Sequence, residues 1–306
     1  MSEIVIHEVG LRDGLQMEKQ VVPTDQKLRW IEGLIASRLD IVQVGSFVHP
    51  AKVPQMADTD QLFQRLAQPG MGTVSPVVLS ALVLNQRGLE RGLAAGVELL
   101  CMGVSASETH SRKNTGKSTS EAADEIVGMA RRALDTGRRV QVSVQSAFGC
   151  GYEGAVPESR VMDLVKRFLD AGIRSISLAD TAGHAIPDRV EAMFGAILAS
   201  GKDVECACHF HDTYGLAMAN ACAALEAGVR SFECSLAGLG GCPFTAVAGG
   251  NLCTEDFVHY LQQAGRRREV DLGRLIELAR EVSGFFGREM PGSVYKTGPI
   301  PSGERT

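Results

Sequence analysis

The chain has 306 residues, 44% hydrophobic and 22% charged, with 31 Lys and Arg against 36 Asp and Glu. A net charge of −5 and a pI near 5.8 exclude a basic footprint for nucleic acid, and the short cluster GRRREV (265–270) reads as a solvated helix end. No run reaches the roughly 18 apolar residues of a membrane span.

In chain order, β-like runs recur with helical segments between them. They are IVIHEV (4–9), DIVQVGS (40–46), VSPVVL (74–79), ELLCMGVS (98–105), RVQVSVQSA (139–147), SISLAD (175–180), ECACHFH (205–211) and SFECSLAG (231–238). The intervals are roughly 25 to 40 residues, about one βα unit each. The intervening segments carry helix signals. Thr24 is an N-cap candidate ahead of Leu28, Ile31, Leu34 and Ile35 at helical spacing, and TSEAADEIVGMARRALDTG stops at Gly137. Eight such units predict one (β/α)8 TIM barrel, with a doubly wound open sheet as the structural alternative. The barrel is expected over about 3–250, a C-terminal helical extension over about 251–295 and a frayed tail over 296–306, all in one domain of 1–306.

Eight cysteines occur without a C-x-x-C pair, and most lie inside apolar runs. They read as reduced, buried, small hydrophobes. The opening MSEIVIHEVG has neither a basic leader pattern nor a transit pattern, so the expected location is cytoplasmic.

Barrel chemistry sits at the C-terminal strand ends, and polar residues cluster there in this chain. Arg12 and Asp13 follow the first run, and Gln43 and Ser46 end the second. Ser105 and Glu108 follow the fourth, Gln145 and Ser146 end the fifth, and Asp180 and Thr181 end the sixth. In VECACHFHDTYG (204–215) a strand's period of two points His209 and His211 the same way. After the eighth run comes AGLGGCPFTAVAGGN, which carries Cys242 and finishes at Asn251. A pair of satisfied histidines and a loop-filling cysteine are the plainer alternatives. Asp13, the two imidazoles and an amide oxygen together make a mixed N/O donor set without thiolates, suited to Mg²⁺ or Mn²⁺. Neutral imidazoles are required, so affinity should fall in mild acid. The glycine loop lacks the G-K-[ST] of a phosphate-binding loop and reads as a segment closing over the site.

EVGLRDGLQMEK, SFVHPAKVPQMAD, ASETHSRKN, GCGYEG, HFHDTYG, AGLGGCPF and GGNLCTEDFV together resemble the 3-hydroxy-3-methylglutaryl-CoA lyase family, from about residue 3 to about 285. The resemblance implies a metal held by Asp13, His209, His211 and Asn251. It also implies an acyl-CoA substrate cleaved to acetoacetate and acetyl-CoA, a homodimer, and catalytic roles for Arg12, Asp13, His209 and Cys242. The family carries a glutamate where this chain has Gln43, and commonly a glycine in place of Ala179. Gln43 can exchange hydrogen bonds but carries no charge. Cleavage of a related 3-hydroxyacyl-CoA is therefore an alternative, as are a Claisen-type synthase and a silent metal or acyl-CoA binder. Arg112 and Lys113 are positional candidates for CoA phosphates.

Overall fold

Runs of β-branched and small residues form the strands, and glycine or a capping side chain punctuates the helices between them. The computed structural model describes residues 4–68, 77–241 and 249–301. Its strands are β1 (Val5–Glu8), β2 (Ile41–Ser46), β3 (Val78–Leu82), β4 (Leu99–Ser105), β5 (Arg139–Gln145), β6 (Ser175–Asp180), β7 (Glu205–Phe210) and β8 (Ser231–Cys234). Each pairs in parallel with its sequence neighbour. β8 then pairs with β1, from Val5 opposite Ser231 to Glu8 opposite Cys234, and the sheet closes into the (β/α)8 barrel. The open-sheet alternative is excluded by that last pairing.

The outer layer consists of α1 (Thr24–Ala36), α2 (Thr59–Leu66), α3 (Gln86–Ala94), α4 (Glu108–Thr115), α5 (Thr119–Asp135), α6 (Glu158–Asp170), α7 (Pro187–Leu198) and α8 (Ala217–Ala227). Helix α5 starts at a complete capping box, Ser118 with Glu121, and Gly137 follows its end in the left-handed region. Thr24 is not the N-cap that its position predicts. It is already helical, and its hydroxyl bonds Asp58 at 2.9 Å instead.

The third strand lies four residues later than the sequence places it, because VVLSALVL is apolar but for Ser80 and offers little phase. The eighth strand stops at Cys234, where the chain turns through Leu236–Gly238 with Ala237 at φ 58°. Helices α9 (Thr254–Gln263), α10 (Leu272–Phe286) and α11 (Val294–Thr297) follow. Trp30 of α1 meets Phe285 of α10 edge to face at 5.5 Å, so this extension shares the barrel's core.

Apolar side chains pack between the strands and the outer helices. Inside the barrel the lining is partly polar: His7, Ser80, Gln141, Ser177 and Glu233 are all buried. That polar interior lies beneath the site.

Candidate metal centre

The site begins with the exit from β1. Gly10–Gly14 forms a single wide turn in which the Val9 carbonyl accepts from the N–H groups of Arg12 (3.0 Å) and Asp13 (2.7 Å). Such π-type turns are rare and recur at functional sites. Gly14 is required there, since a Cβ would stand 2.7 Å from Leu239 Cβ in the loop after β8. The turn places Arg12 and Asp13 side by side, with Arg12 Nη1 donating to Asp13 Oδ1 at 2.5 Å.

Strand alternation supplies the histidines. Phe210 packs outward against Phe148, while His209 points inward. His211, one residue beyond the strand, pairs backbone to backbone with Asn251. The two imidazoles meet edge to face with centroids 4.9 Å apart. Their Nε2 atoms stand 3.8 Å (His209) and 3.6 Å (His211) from Asp13 Oδ2. Ligand atoms bonded to one ion at about 2.1 Å stand roughly 3 to 4 Å apart, so the three groups are spaced for a shared cation.

The donor set passes a second test, on unspent hydrogen-bonding capacity. His211 Nδ1 faces the carbonyls of Asp180 (3.1 Å) and Thr181 (3.0 Å), which places its proton on Nδ1 and leaves Nε2 as a bare acceptor. That Nε2 is buried and has no hydrogen-bond partner among the described residues. Asn251 donates from Nδ2 to Asp13 Oδ2 and to the Leu239 carbonyl, both at 2.9 Å, while its Oδ1 is buried and unpartnered among the described residues. Gly240 makes room for this amide, since a Cβ would lie 2.4 Å from Nδ2. A carboxylate and two imidazoles converging on one point fit a divalent cation, with the Asn251 amide beside them.

Charge is concentrated here. Burial raises the pKa of the Asp13 carboxyl, but Arg12, His211 and His209 together pull it well below the usual carboxylate range. Burial would lower the His209 imidazole; Glu233 and Asp13 outweigh it and raise the pKa. The Glu233 carboxyl is held down at about 2 against its burial, by His209, His7 and Arg12.

Gln43 is buried on β2, and its Oε1 accepts from Arg12 Nε. The guanidinium is thus clamped between one carboxylate and one neutral amide. Arg12, Asp13, Gln43, His209 and His211 line one cavity of about 570 Å³, which continues past Ser46, Gln145, Ala179 and Thr181. Its mouth carries His49, Lys52 and Lys117, which sequence reasoning did not single out. Arg112 and Lys113 are not among its lining residues: Arg112 pairs with Glu108 at 2.8 Å, and Lys113 sits over the Tyr152 ring at 4.5 Å. Nor do Ser105, Glu108, Ser146 and Asp180 line it. Asp180 uses both oxygens on its own loop, accepting from the N–H groups of His184 (2.8 Å) and Ala185 (3.1 Å). Cys242 lies outside the described residues; the other seven cysteines are free thiols, and six of them are buried.

Two carboxylates escaped the sequence reading. Glu8 accepts from Gly10 N (2.8 Å), Leu236 N (2.9 Å) and the Thr254 hydroxyl, tying the β1 turn to the turn after β8. Glu233 stands opposite His209 across the β7–β8 pairing, with its Oε2 3.1 Å from His209 Nδ1. An acid in the middle of the apolar run SFECSLAG was the available signal.

Comparison with known proteins now decides the family. The HMGL-like family model matches residues 3–282. The chain belongs to the HMGL-like family. The hydroxymethylglutaryl-CoA lyase of Bacillus subtilis is 38% identical over 290 residues, covering 95% of each chain. The (R)-citramalyl-CoA lyase of Chloroflexus aurantiacus is 37% identical over 305 residues, covering 98% of this chain and 96% of that one. An HMG-CoA lyase from Acinetobacter baumannii, solved with coenzyme A and 3-methylmalate, superposes with a TM-score of 0.90 at 32% identity, covering 99% and 98%. This HMGL-like protein is an enzyme of the carbon–carbon lyase class.

Proposed function

We propose that this chain is a divalent-metal-dependent lyase that cleaves a carboxylated 3-hydroxyacyl-CoA of the 3-hydroxy-3-methylglutaryl-CoA type to acetyl-CoA and an oxo acid, acetoacetate for the methylglutaryl thioester. The observation that carries this reading is the convergence of Asp13 Oδ2, His211 Nε2 and His209 Nε2 on one point, beside Arg12. Asp13, His209, His211 and Asn251 Oδ1 would hold the ion. When bound, Mg²⁺ or Mn²⁺ would polarise the tertiary hydroxyl and a neighbouring carboxylate oxygen of the substrate.

The chain's own groups divide the remaining work. Asp13, the carboxylate of the donor set, is the proposed acceptor for the hydroxyl proton. As that proton leaves, the alkoxide oxygen forms the ketone, the C2–C3 bond breaks, and its electron pair passes to the thioester as an enolate. Arg12 supplies fixed N–H donors for the developing oxyanion. Cys242, on the glycine loop, is the proposed donor of the proton that the enolate carbon takes up. The buried Asp13, His209 and His211 keep bulk water from competing for that enolate.

A second reading has its own observations. Gln43 orients Arg12 without neutralising it, and Ala179, opposite His209, puts a methyl group into the cavity. Both favour a compact substrate whose carboxylate sits on the carbinol carbon itself, cleaved to acetyl-CoA and a 2-oxo acid. The likeness to a citramalyl-CoA lyase supports the same class.

The test is acetyl-CoA release by purified protein with Mg²⁺ or Mn²⁺ from 3-hydroxy-3-methylglutaryl-CoA and citramalyl-CoA side by side. Turnover of about 1 per second or more on either is the expected result and names the substrate. Silence on both would contradict the proposal.

A further inference from the structure

A carboxylate inside a barrel is costly to bury unless neighbouring groups hold it. Glu233 is such a group, 6% exposed, in an interior position that β-barrel cores ordinarily fill with branched apolar side chains. Its surroundings are complete on one side. Oε1 accepts from Gln141 Nε2 of β5 at 2.5 Å and from the Ser177 hydroxyl of β6 at 3.2 Å. Its other oxygen, Oε2, faces His209 Nδ1 at 3.1 Å, short of full hydrogen-bond alignment. Nδ1 has no other partner among the described residues. The register dictates the contact, because Glu233 lies directly opposite His209 on the neighbouring parallel strand.

We propose that Glu233 is a positioning residue for His209. Anchored by Gln141 and Ser177, it holds the imidazole's proton on Nδ1 and so keeps Nε2 bare toward Asp13. The arrangement repeats, with a carboxylate, what the Asp180 and Thr181 carbonyls do for His211. A metal-binding imidazole whose remote nitrogen donates to a carboxylate is fixed in tautomer and orientation and is a more basic ligand. The two histidines are thus set by different means. His211 depends on backbone, which no substitution of a side chain removes. His209 depends on one side chain drawn from another strand.

This inference rests on the metal-centre reading, and the experiment separates the two. Imidazole ¹⁵N shifts of the metal-stripped protein, recorded above the imidazole titration, report the tautomer with no metal present. Mn²⁺ binding by calorimetry reports the affinity. In the wild type His209 is expected to carry its proton on Nδ1. Glu233→Ala should release the tautomer to a mixture and weaken Mn²⁺ binding by about 10- to 100-fold, with the His211 shifts unchanged. Glu233→Gln, which keeps an acceptor and the volume, should recover part of both. Should Glu233→Ala fail to fold, Gln141→Ala, which removes only a donor to Glu233, should move both readouts in the same direction and by less. An unchanged His209 tautomer and unchanged Mn²⁺ affinity in folded variants would overturn the inference. A wild type with the Nδ1 tautomer but no Mn²⁺ binding would instead overturn the metal reading and leave the tautomer role of Glu233 standing.

Discussion

Strands β6 and β7 lie side by side, six residues each, with Ala179 opposite His209 and Asp180 opposite Phe210. Both lead into polar side chains at the rim of the barrel where active sites form, yet only β7 presents imidazoles to the cavity. Asp180 is fully buried, each of its oxygens accepts an N–H group of the loop it begins, and it does not line the cavity. Beside it, His211 uses one nitrogen on the Asp180 and Thr181 carbonyls and leaves the other bare among the described residues. β6 serves as the frame and β7 as the tool. A functional rim residue is recognised by the bonding capacity it has left over, rather than by polarity or position.

The largest effect expected from breaking this comparison is on β7. His211→Ala removes a ligand and should weaken Mn²⁺ binding at least about 100-fold and abolish measurable acetyl-CoA release, while thermal unfolding stays near wild type. On β6 the pattern should invert. Asp180→Ala strips the acceptor from two N–H groups and is expected to cost about 2 kcal/mol or more in stability, read by denaturant unfolding. Its effect on Mn²⁺ affinity should be far smaller than that of His211→Ala, because the backbone carbonyls that hold His211 remain.

Smaller effects sharpen the picture away from the metal. Gln43→Glu places a charged acceptor against Arg12 and should raise kcat/KM several-fold for 3-hydroxy-3-methylglutaryl-CoA, about 1 kcal/mol of transition-state stabilisation. Unchanged or lower activity would argue that Gln43 does not set the substrate. Glu255, fully buried, accepts from Ala237 N at 3.0 Å, and burial pushes its carboxyl up to about 8. A carboxyl with a folded pKa above its unfolded value of 4.5 contributes stability that is fully present below 4.5 and lost as pH rises through about 8. Glu255→Gln mimics the neutral acid. It should leave the melting temperature near pH 4 nearly unchanged and flatten the decline of stability between pH 5 and about 8.5.

Much of this was legible in the chain. Strand spacing predicted the barrel, and the period of two in HFH predicted that His209 and His211 converge. Asp13 and Asn251, 238 residues apart, were joined to them only by the logic that strand ends meet at one rim; the 2.9 Å bond between their side chains realises it. What stayed hidden was pairwise. Glu233 stood in a quoted strand, but nothing local says which residue on the next strand it faces, because that is set by register. Asp180 and Glu108 looked like site residues for the converse reason: Asp180 accepts N–H groups of its own loop, and Glu108 is held by Thr119 N and Arg112, pairings a residue pattern does not display. Arg112 and Lys113, read by position alone, contact Glu108 and Tyr152 outside the cavity lining, while Lys52 and Lys117 line it, Lys117 paired with Glu125.

The most direct test of the central claim is a Mn²⁺ titration of the metal-stripped protein, followed by electron paramagnetic resonance, at pH 8 and pH 6, with His211→Ala as the control. The predicted result is one tight site per chain at pH 8 that is missing in the control. It should weaken on acidification, because the raised pKa of His209 lets a proton displace the ion at a higher pH than a free imidazole would allow. Equal Mn²⁺ binding by wild type and His211→Ala, or no saturable site at either pH, would contradict the account.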